Sequence, residues 1–405
     1  MKKGSVTCEE AVEIITNEIG VVGTERIPLS ECFGRILAEE LRADDNVPPF
    51  DRSPFDGYAF RAADTANASK DHPVVLKVLE EIAAGDVPHY EITEGTAVRI
   101  MTGAPIPKGA DTVTMYEITE FTDTEVKLFR PYDEGENIVY AGEDVKKGQL
   151  LASVGMKIDI GLMGTLAAQN RAYPLVYKKL KVGIISTGSE LIEVGSEREP
   201  GKIFDSNQYT LSAAMSNIGL EPVAYGIVKD DTDAISKKLD TAIEECDAVM
   251  LTGGASVGDF DLTPEAMQMS GVEILFKGVQ LKPGMACSFG IKDGKLVCGL
   301  SGNPASSLTT FLVVTQIGLK KAAGYAEYLS EEFEVELACG YPKKSKATRV
   351  LKGKLDLTGE RARFISTKDQ GNVVISSAIG CDCLAFIPAG SGAMEAGAKL
   401  KAVRI

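Results

Sequence analysis

The chain has 405 residues, of which 44% are hydrophobic and 25% charged, and 58 acidic side chains against 43 basic ones give a formal net charge of −15. That length holds roughly two to four domains at ~100–200 residues each, and the acidic balance excludes an extended nucleic-acid surface, which needs clustered Lys and Arg. No run approaches the ~18 apolar residues of a membrane span, the amino terminus lacks the apolar centre of a signal peptide, and the eight scattered cysteines read as reduced thiols of a cytoplasmic protein.

Thr7-Cys8-Glu9-Glu10 has the form of a capping box, in which a Thr hydroxyl and a Glu three residues on satisfy each other's exposed N–H groups. Val12, Ile15 and Ile19 then share one helical face. Pro48-Pro49 marks a boundary, and the segment 50–61, which contains Asp56, reads as a loop rich in charge and aromatic rings. From Val74 to Arg130 short β-type runs (74–79, 97–101, 112–116, 125–129) alternate with Gly/Pro turns, notably around Thr102-Gly103-Ala104-Pro105, which predicts a compact β-domain. A helical run over 158–169 follows, with Asp159 as its cap.

Between Lys181 and Gly324 strands and helices alternate, the pattern of a largely parallel sheet. Expected strands cover 181–186, 222–228, 248–251, 273–276, 286–291 and 295–300. Expected helices cover 207–218, 233–246 (capped by Thr232) and a run from Pro304. Beyond Gly324 the pattern returns to β, at 333–337, 348–357, 361–367, 372–377, 384–387 and 398–403, which predicts a separate small barrel or sandwich.

Three strands of the α/β region end in small, hydroxyl and acidic residues, and ligands of open α/β sheets bind at that end. One runs into Thr187-Gly188-Ser189-Glu190, the second into Gly253-Gly254-Ala255-Ser256-Val257-Gly258-Asp259-Phe260-Asp261, the third into Ser301-Gly302-Asn303-Pro304. In the last, Asn303 fits an N-cap and Pro304 the first helical position, so the free N–H groups beyond them make an anion site; the bland reading is a well-capped structural helix. Glu190, Asp230, Asp231, Asp259 and Asp261 fall at one edge of the sheet, a set of hard oxygen ligands suited to Mg²⁺ bridged to phosphate. The bland reading there is that Asp favours turns.

Other chemistries are excluded. Gly254-Ala255-Ser256-Val257-Gly258 matches a nucleophile elbow, but that fold needs a His after its Ser, and the two histidines are His72 and His89. No G-x-G-x-x-G opens a helix after a strand. Cys381 and Cys383 are two thiolates without further spaced ligands, so a metal at Cys381-Asp382-Cys383 is the weaker reading beside reduced thiols.

The motifs Pro48-Pro49-Phe50-Asp51-Arg52-Ser53-Pro54-Phe55-Asp56-Gly57-Tyr58-Ala59, Met101-Thr102-Gly103-Ala104-Pro105, Ser186-Thr187-Gly188-Ser189-Glu190-Leu191, Thr252-Gly253-Gly254-Ala255-Ser256-Val257-Gly258-Asp259 and Gly302-Asn303-Pro304 together resemble the molybdopterin molybdenumtransferase family, that of the bacterial MoeA proteins and the gephyrin E domain. The resemblance runs the whole chain in order. It implies a multi-domain α/β plus β protein: an elongated domain from two segments (1–45 and 141–178), an inserted β-domain (46–140), an α/β molybdopterin-binding domain with a mainly parallel sheet (179–326) and a C-terminal β-barrel (327–405). It implies insertion of molybdate into adenylylated molybdopterin, with Mg²⁺-dependent cleavage of the phosphoanhydride to release AMP. By the same resemblance Asp56, Thr102, Glu190, Asp230 and Asp259 are catalytic, with Glu190, Asp230 and Asp259 on the metal. Thr187, Gly188, Ser189, Gly253, Gly254, Ser256, Lys282, Pro283, Ser301, Gly302, Asn303 and Pro304 hold the pterin substrate. A cytoplasmic homodimer with shared sites is also implied, along with other cofactor-biosynthesis proteins as partners and neither nucleic acid nor membrane. The chain departs from the family at Lys282-Pro283-Gly284-Met285-Ala286, where Lys-Pro-Gly-Lys-Pro is common, and at Ser301, where Pro is common. Tungstate in place of molybdate, a non-catalytic scaffold and the pathway's adenylyltransferase step are the competing readings; the extra β-domains and the Asp56 loop speak against the last.

Overall fold

A computed structural model of the chain describes residues 4–254 and 262–405, which form two compact units. One takes in the chain up to Glu39 together with Val154–Ile160 and Tyr173–Ile405; the other consists of Glu40–Ser153 and Gly161–Ala172.

The first unit is built on a six-stranded sheet in the order Glu221–Val228, Lys181–Thr187, Ala248–Thr252, Lys295–Leu300, Cys287–Lys292, Glu273–Lys277. The first four are mutually parallel and Cys287–Lys292 runs against both of its neighbours. Successive residues of a strand face opposite sides, and here both sides are covered. Val182, Ile184, Ala248, Met250, Leu296 and Cys298 enter one core with Leu211 and Met215 of helix Asn207–Asn217. Ile185, Val249, Leu251 and Val297 enter the other with Ile235, Leu239 and Ile243 of helix Thr232–Glu245. Continuous apolar runs are what strands buried on two faces require.

The amino-terminal helix Cys8–Glu18 adds Ala11 and Ile15 to the first of these cores. Its capping box forms as expected, Glu10 N–H donating to Thr7 Oγ1 at 3.1 Å and Thr7 N–H to Glu10 Oε2 at 3.0 Å. The cap of helix Thr232–Glu245 is a correction: Asp231 accepts the Ala234 N–H at 2.8 Å, so the N-cap lies one residue before Thr232. A carboxylate spent on that N–H is accounted for structurally.

After Gly324 five strands close on themselves: Thr348–Asp356, Arg363–Ser366, Glu332–Leu337, Lys399–Arg404 and Cys383–Ile387, the last pairing back with Thr348–Asp356. Leu351, Ala385 and Ala402 fill the barrel, whereas Val350, Leu384 and Val403 join the first core of the α/β sheet. The short strand Leu281–Lys282 pairs in parallel with Thr348 and Arg349. Residues 372–377, expected as a strand, instead lead into a 3₁₀ turn over Ile375–Ala378. Ser377 Oγ donates to Val374 O at 2.6 Å, a local bond that competes with ladder pairing.

Lys352, on the same strand face as Val350, is 1% exposed and its Nζ has no hydrogen-bond partner among the described residues. Burial holds its pKa below the ordinary lysine value of 10.5, offset in part by Cys381 and Asp369. Because the folded chain releases this proton more readily than the unfolded one, stability rises with pH from the lowered pKa up to 10.5. Lys352→Met is therefore expected to stabilise the protein by about 1–3 kcal/mol at neutral pH, with the gain shrinking as pH approaches 10.5. Urea unfolding of both proteins at two pH values reads this directly; a Met variant that is less stable at neutral pH contradicts it.

The second unit carries a six-stranded sheet in the order Thr112–Met115, Gly57–Phe60, Thr96–Ile100, Val74–Ile82, Glu125–Leu128, Glu120–Phe121. Gly57–Phe60 is a correction, because the segment 50–61 reads as a loop in sequence. All four of its residues are buried between two partner strands. A Cβ on Gly57 would lie 1.7 Å from Thr114 O, so the glycine there is a packing requirement.

Candidate active site

Three parallel strands, Lys181–Thr187, Ala248–Thr252 and Lys295–Leu300, release their carboxyl ends side by side. The approach is closer than side chains allow. Gly253, at φ +100°, would place a Cβ 2.0 Å from Thr187 O, and a Cβ on Gly302 would lie 3.3 Å from Gly253 Cα. Thr187 is buried, and its hydroxyl donates to Thr252 O at 3.3 Å, tying the first two ends together.

In front of these ends lies a cavity of about 820 Å³. Of the residues expected at the site it gathers Glu190, Gly253, Gly254, Lys282, Pro283, Ser301, Gly302, Asn303 and Pro304 on one wall system. Asn372 and Val373 of the barrel region complete it. Glu190 is exposed and makes no side-chain hydrogen bond among the described residues, so its carboxylate is available to a ligand. Lys282 is the sole cation among the described lining residues, and the Lys282–Pro283 peptide is cis. Met285, 52% exposed, also lines the cavity.

Ser189 and Asp230 stand beside the cavity without lining it. Ser189 N–H donates to Asp230 Oδ2 at 2.8 Å and Asp230 N–H to Ser189 Oγ at 3.3 Å, a reciprocal pair that fixes the Gly188–Glu190 turn. Asp230 thereby holds Glu190 in place. Ser256, Asp259 and Asp261 lie outside the described residues.

The helix Pro304–Thr310 corrects one detail of the expected anion site. Asn303 occupies the N-cap position, yet its side chain makes no capping bond; its own N–H donates to Ser301 Oγ at 3.2 Å. The Ser306 N–H, expected to be free, donates to Asn372 O at 3.3 Å. The polar groups of this turn are thus partly spent within the chain.

Asp56 and Thr102 lie in the other unit. They are partners: Asp56 Oδ1 accepts the Thr102 N–H and the Thr102 hydroxyl, each at 2.7 Å. These two bonds, backbone first, hold the Asp56 carboxyl below the usual carboxylate range. A strand-flanking Asp and a Thr 46 positions on therefore form one preorganised acid–hydroxyl pair.

Among the lining residues absent from the expected set are Asp205 and Asn207. Both are buried, at 3% and 8% exposure, on the link between strand Ile203–Phe204 and helix Asn207–Asn217. The signal in sequence is only a polar triplet, Asp205-Ser206-Asn207, ahead of a helix, which reads as an ordinary cap.

Among the described residues no group of three or more His, Cys, Asp and Glu side chains could hold a metal ion by itself. The donor chemistry at the cavity is carboxylate oxygen, which suits a hard cation shared with substrate phosphates.

Comparison with known proteins agrees with this layout. Residues 6–169 match the family described as MoeA N-terminal region (domain I and II), 183–321 the "Probable molybdopterin binding domain" and 334–404 the MoeA C-terminal region (domain IV). A molybdopterin molybdenumtransferase of Staphylococcus aureus is 34% identical over 396 residues, covering 98% of this chain and 94% of the relative. Its Staphylococcus epidermidis counterpart is 33% identical over the same span. Among solved structures, the molybdopterin biosynthesis MoeA protein of Pyrococcus horikoshii OT3 superposes with a TM-score of 0.84 at 32% identity, covering 99% of this chain and 100% of that one. With three family regions matched in order and relatives above 30% identity over nearly the full length, the chain belongs to the MoeA family of molybdopterin molybdenumtransferases.

Proposed function

We propose that this protein inserts molybdate into adenylylated molybdopterin, cleaving the phosphoanhydride and releasing molybdenum cofactor and AMP. The observation that carries the reading is the cavity itself. In the region matched to a molybdopterin-binding domain, a carboxylate (Glu190), the sole cation among the described lining residues (Lys282) and two glycine-rich strand ends (Gly253-Gly254 and Gly302) meet in a space of about 820 Å³. The glycine turns accept a flat ring and phosphate close to backbone, Lys282 balances anionic oxygens, and Glu190 orients a water attacking the anhydride. Mg²⁺, held by Glu190 with Asp259 and the substrate phosphates, would supply charge neutralisation there; Asp230, in this structure, contributes by fixing the turn that carries Glu190. Asp56 and Thr102 act on the same reaction from the partner subunit of a homodimer, and the protein works in the cytoplasm beside the enzymes that make its substrate and take its product.

Incubation with adenylylated molybdopterin and Mg²⁺, with molybdate or with tungstate, tests this by chromatographic detection of AMP. AMP formed with molybdate supports the reading. Retention of the nucleotide-bearing pterin without any AMP means a binding scaffold, and AMP formed with tungstate alone means the other oxyanion.

Met285 sharpens the choice of oxyanion. Its side chain is half exposed at the cavity and does not pack inside the sheet, so the position is open to ligand. Met285→Lys adds a second cation beside Lys282, and an exposed ammonium attracts anions in a salt-dependent way. The expected result is a several-fold lower KM for molybdate at low ionic strength, a smaller gain at high salt and little change in kcat. An unchanged KM at low salt shows that this position does not face the oxyanion.

A further inference from the structure

Two buried oxygen acceptors on the cavity wall have no donor among the described residues. Asp205 Oδ1 accepts the Gln208 N–H at 3.2 Å, while Oδ2 has no partner among the described residues. Asn207 Nδ2 donates to Gly302 O at 2.9 Å, which fixes how the amide is turned and leaves Oδ1 without a partner among the described residues. Both residues line the cavity that holds Glu190, Gly253 and Ser301. A buried unpaired acceptor is destabilising, and native structures carry few of them without a reason. Two such groups, two residues apart on side chains that line one cavity, share that reason: a ligand that brings donors.

The substrate assigned to this cavity has one edge made only of donors. The pyrimidine part of a pterin presents its 2-amino group and the ring N3–H side by side, much as a guanidinium presents two N–H groups to a carboxylate. We infer that Asp205, helped by Asn207, reads this edge and so selects a 2-amino pteridine over rings that carry a carbonyl at that position. The inference rests on the reading that the cavity takes molybdopterin. Because both oxygens are closed to bulk water, the ligand edge meets them as the two side chains turn toward the space they already line. The contact then forms in a dry setting, where a missing partner is felt strongly. A hard cation is the competing occupant, since a carboxylate and an amide oxygen also suit Mg²⁺.

The test is equilibrium dialysis of the full chain against pterin and against lumazine, the same bicycle with a 2-oxo group, in EDTA. The wild-type protein is expected to prefer pterin by about 10–100-fold, and Asp205→Asn to bring the ratio within about 3-fold while keeping its affinity for lumazine, which also shows that the variant is folded. A wild-type protein without preference overturns the inference whatever the variant does. So does a preference that survives in Asp205→Asn, or one that appears only when Mg²⁺ is restored, which assigns the pair to a cation. Binding of neither ring, together with no molybdate-dependent AMP release, removes the functional reading and the inference with it; AMP release in a protein without ring preference removes the inference alone.

Discussion

Glu190→Gln is expected to lower molybdate-dependent AMP release by about 100-fold or more, with thermal stability unchanged. The two halves of that result have separate causes. Glu190 is exposed and its carboxylate bonds to no other side chain among the described residues, so an isosteric amide leaves the fold intact. At the cavity the same change removes the negative charge that would hold Mg²⁺ and orient the attacking water. Asp259→Asn is expected to behave alike, since it removes an oxygen ligand of the same proposed set. The kinetic readout should fall chiefly in kcat, because a group used in the transition state is removed while the glycine turns that bind the ring remain. Turnover within a few-fold of wild type in both variants would sink the assigned site.

The second large effect is recovery by mixing. Asp56→Asn and Glu190→Gln proteins are each expected to be nearly inactive. Asp56 gives up the carboxylate that Thr102 holds with two 2.7 Å bonds, and Glu190 gives up the charge at the cavity. If each site of a homodimer takes its Asp56–Thr102 pair from one subunit and its Glu190 from the other, a heterodimer of the two variants has one wholly native site. After subunit exchange half of the dimers are mixed, so about a quarter of wild-type activity should return. Proven exchange without recovery, or a monomer by sedimentation, contradicts the shared site.

Much of this fold is legible in the sequence, because the signals are periodic or chemical. Strands buried on both faces show as apolar runs at Lys181, Ala248 and Lys295, and the Thr7–Glu10 capping box declares its helix at the residue level. The failures are local competitions. Gly57–Phe60 is four residues long and sits beside charged and aromatic neighbours, so its period is too short to read, although it lies inside the β-domain sheet. Asn372–Ser377 has β-type composition, but Ser377 bonds back to Val374 and curls the chain. At the site, the glycine and acidic strand ends are visible as motifs. Asp205 and Asn207 are not, because a polar residue before a helix looks the same whether it caps the helix or waits for a ligand; only their oxygens, unpaired among the described residues, separate the two. Asp231 shows the reverse, an acidic residue grouped with the site that proves to cap a helix.

The measurement that bears most directly on the assigned reaction is the ratio of molybdenum transferred to AMP released in a single turnover. Adenylylated molybdopterin, Mg²⁺ and molybdate are incubated with enzyme in excess, the pterin product is isolated, and its metal and the free AMP are both quantified. Molybdenum insertion coupled to anhydride cleavage predicts one molybdenum in the pterin for each AMP, with neither product formed when Glu190 is replaced by glutamine. AMP released at the same rate without molybdate, leaving a metal-free pterin, would instead make this protein a hydrolase of the adenylylated pterin and contradict the transferase reading.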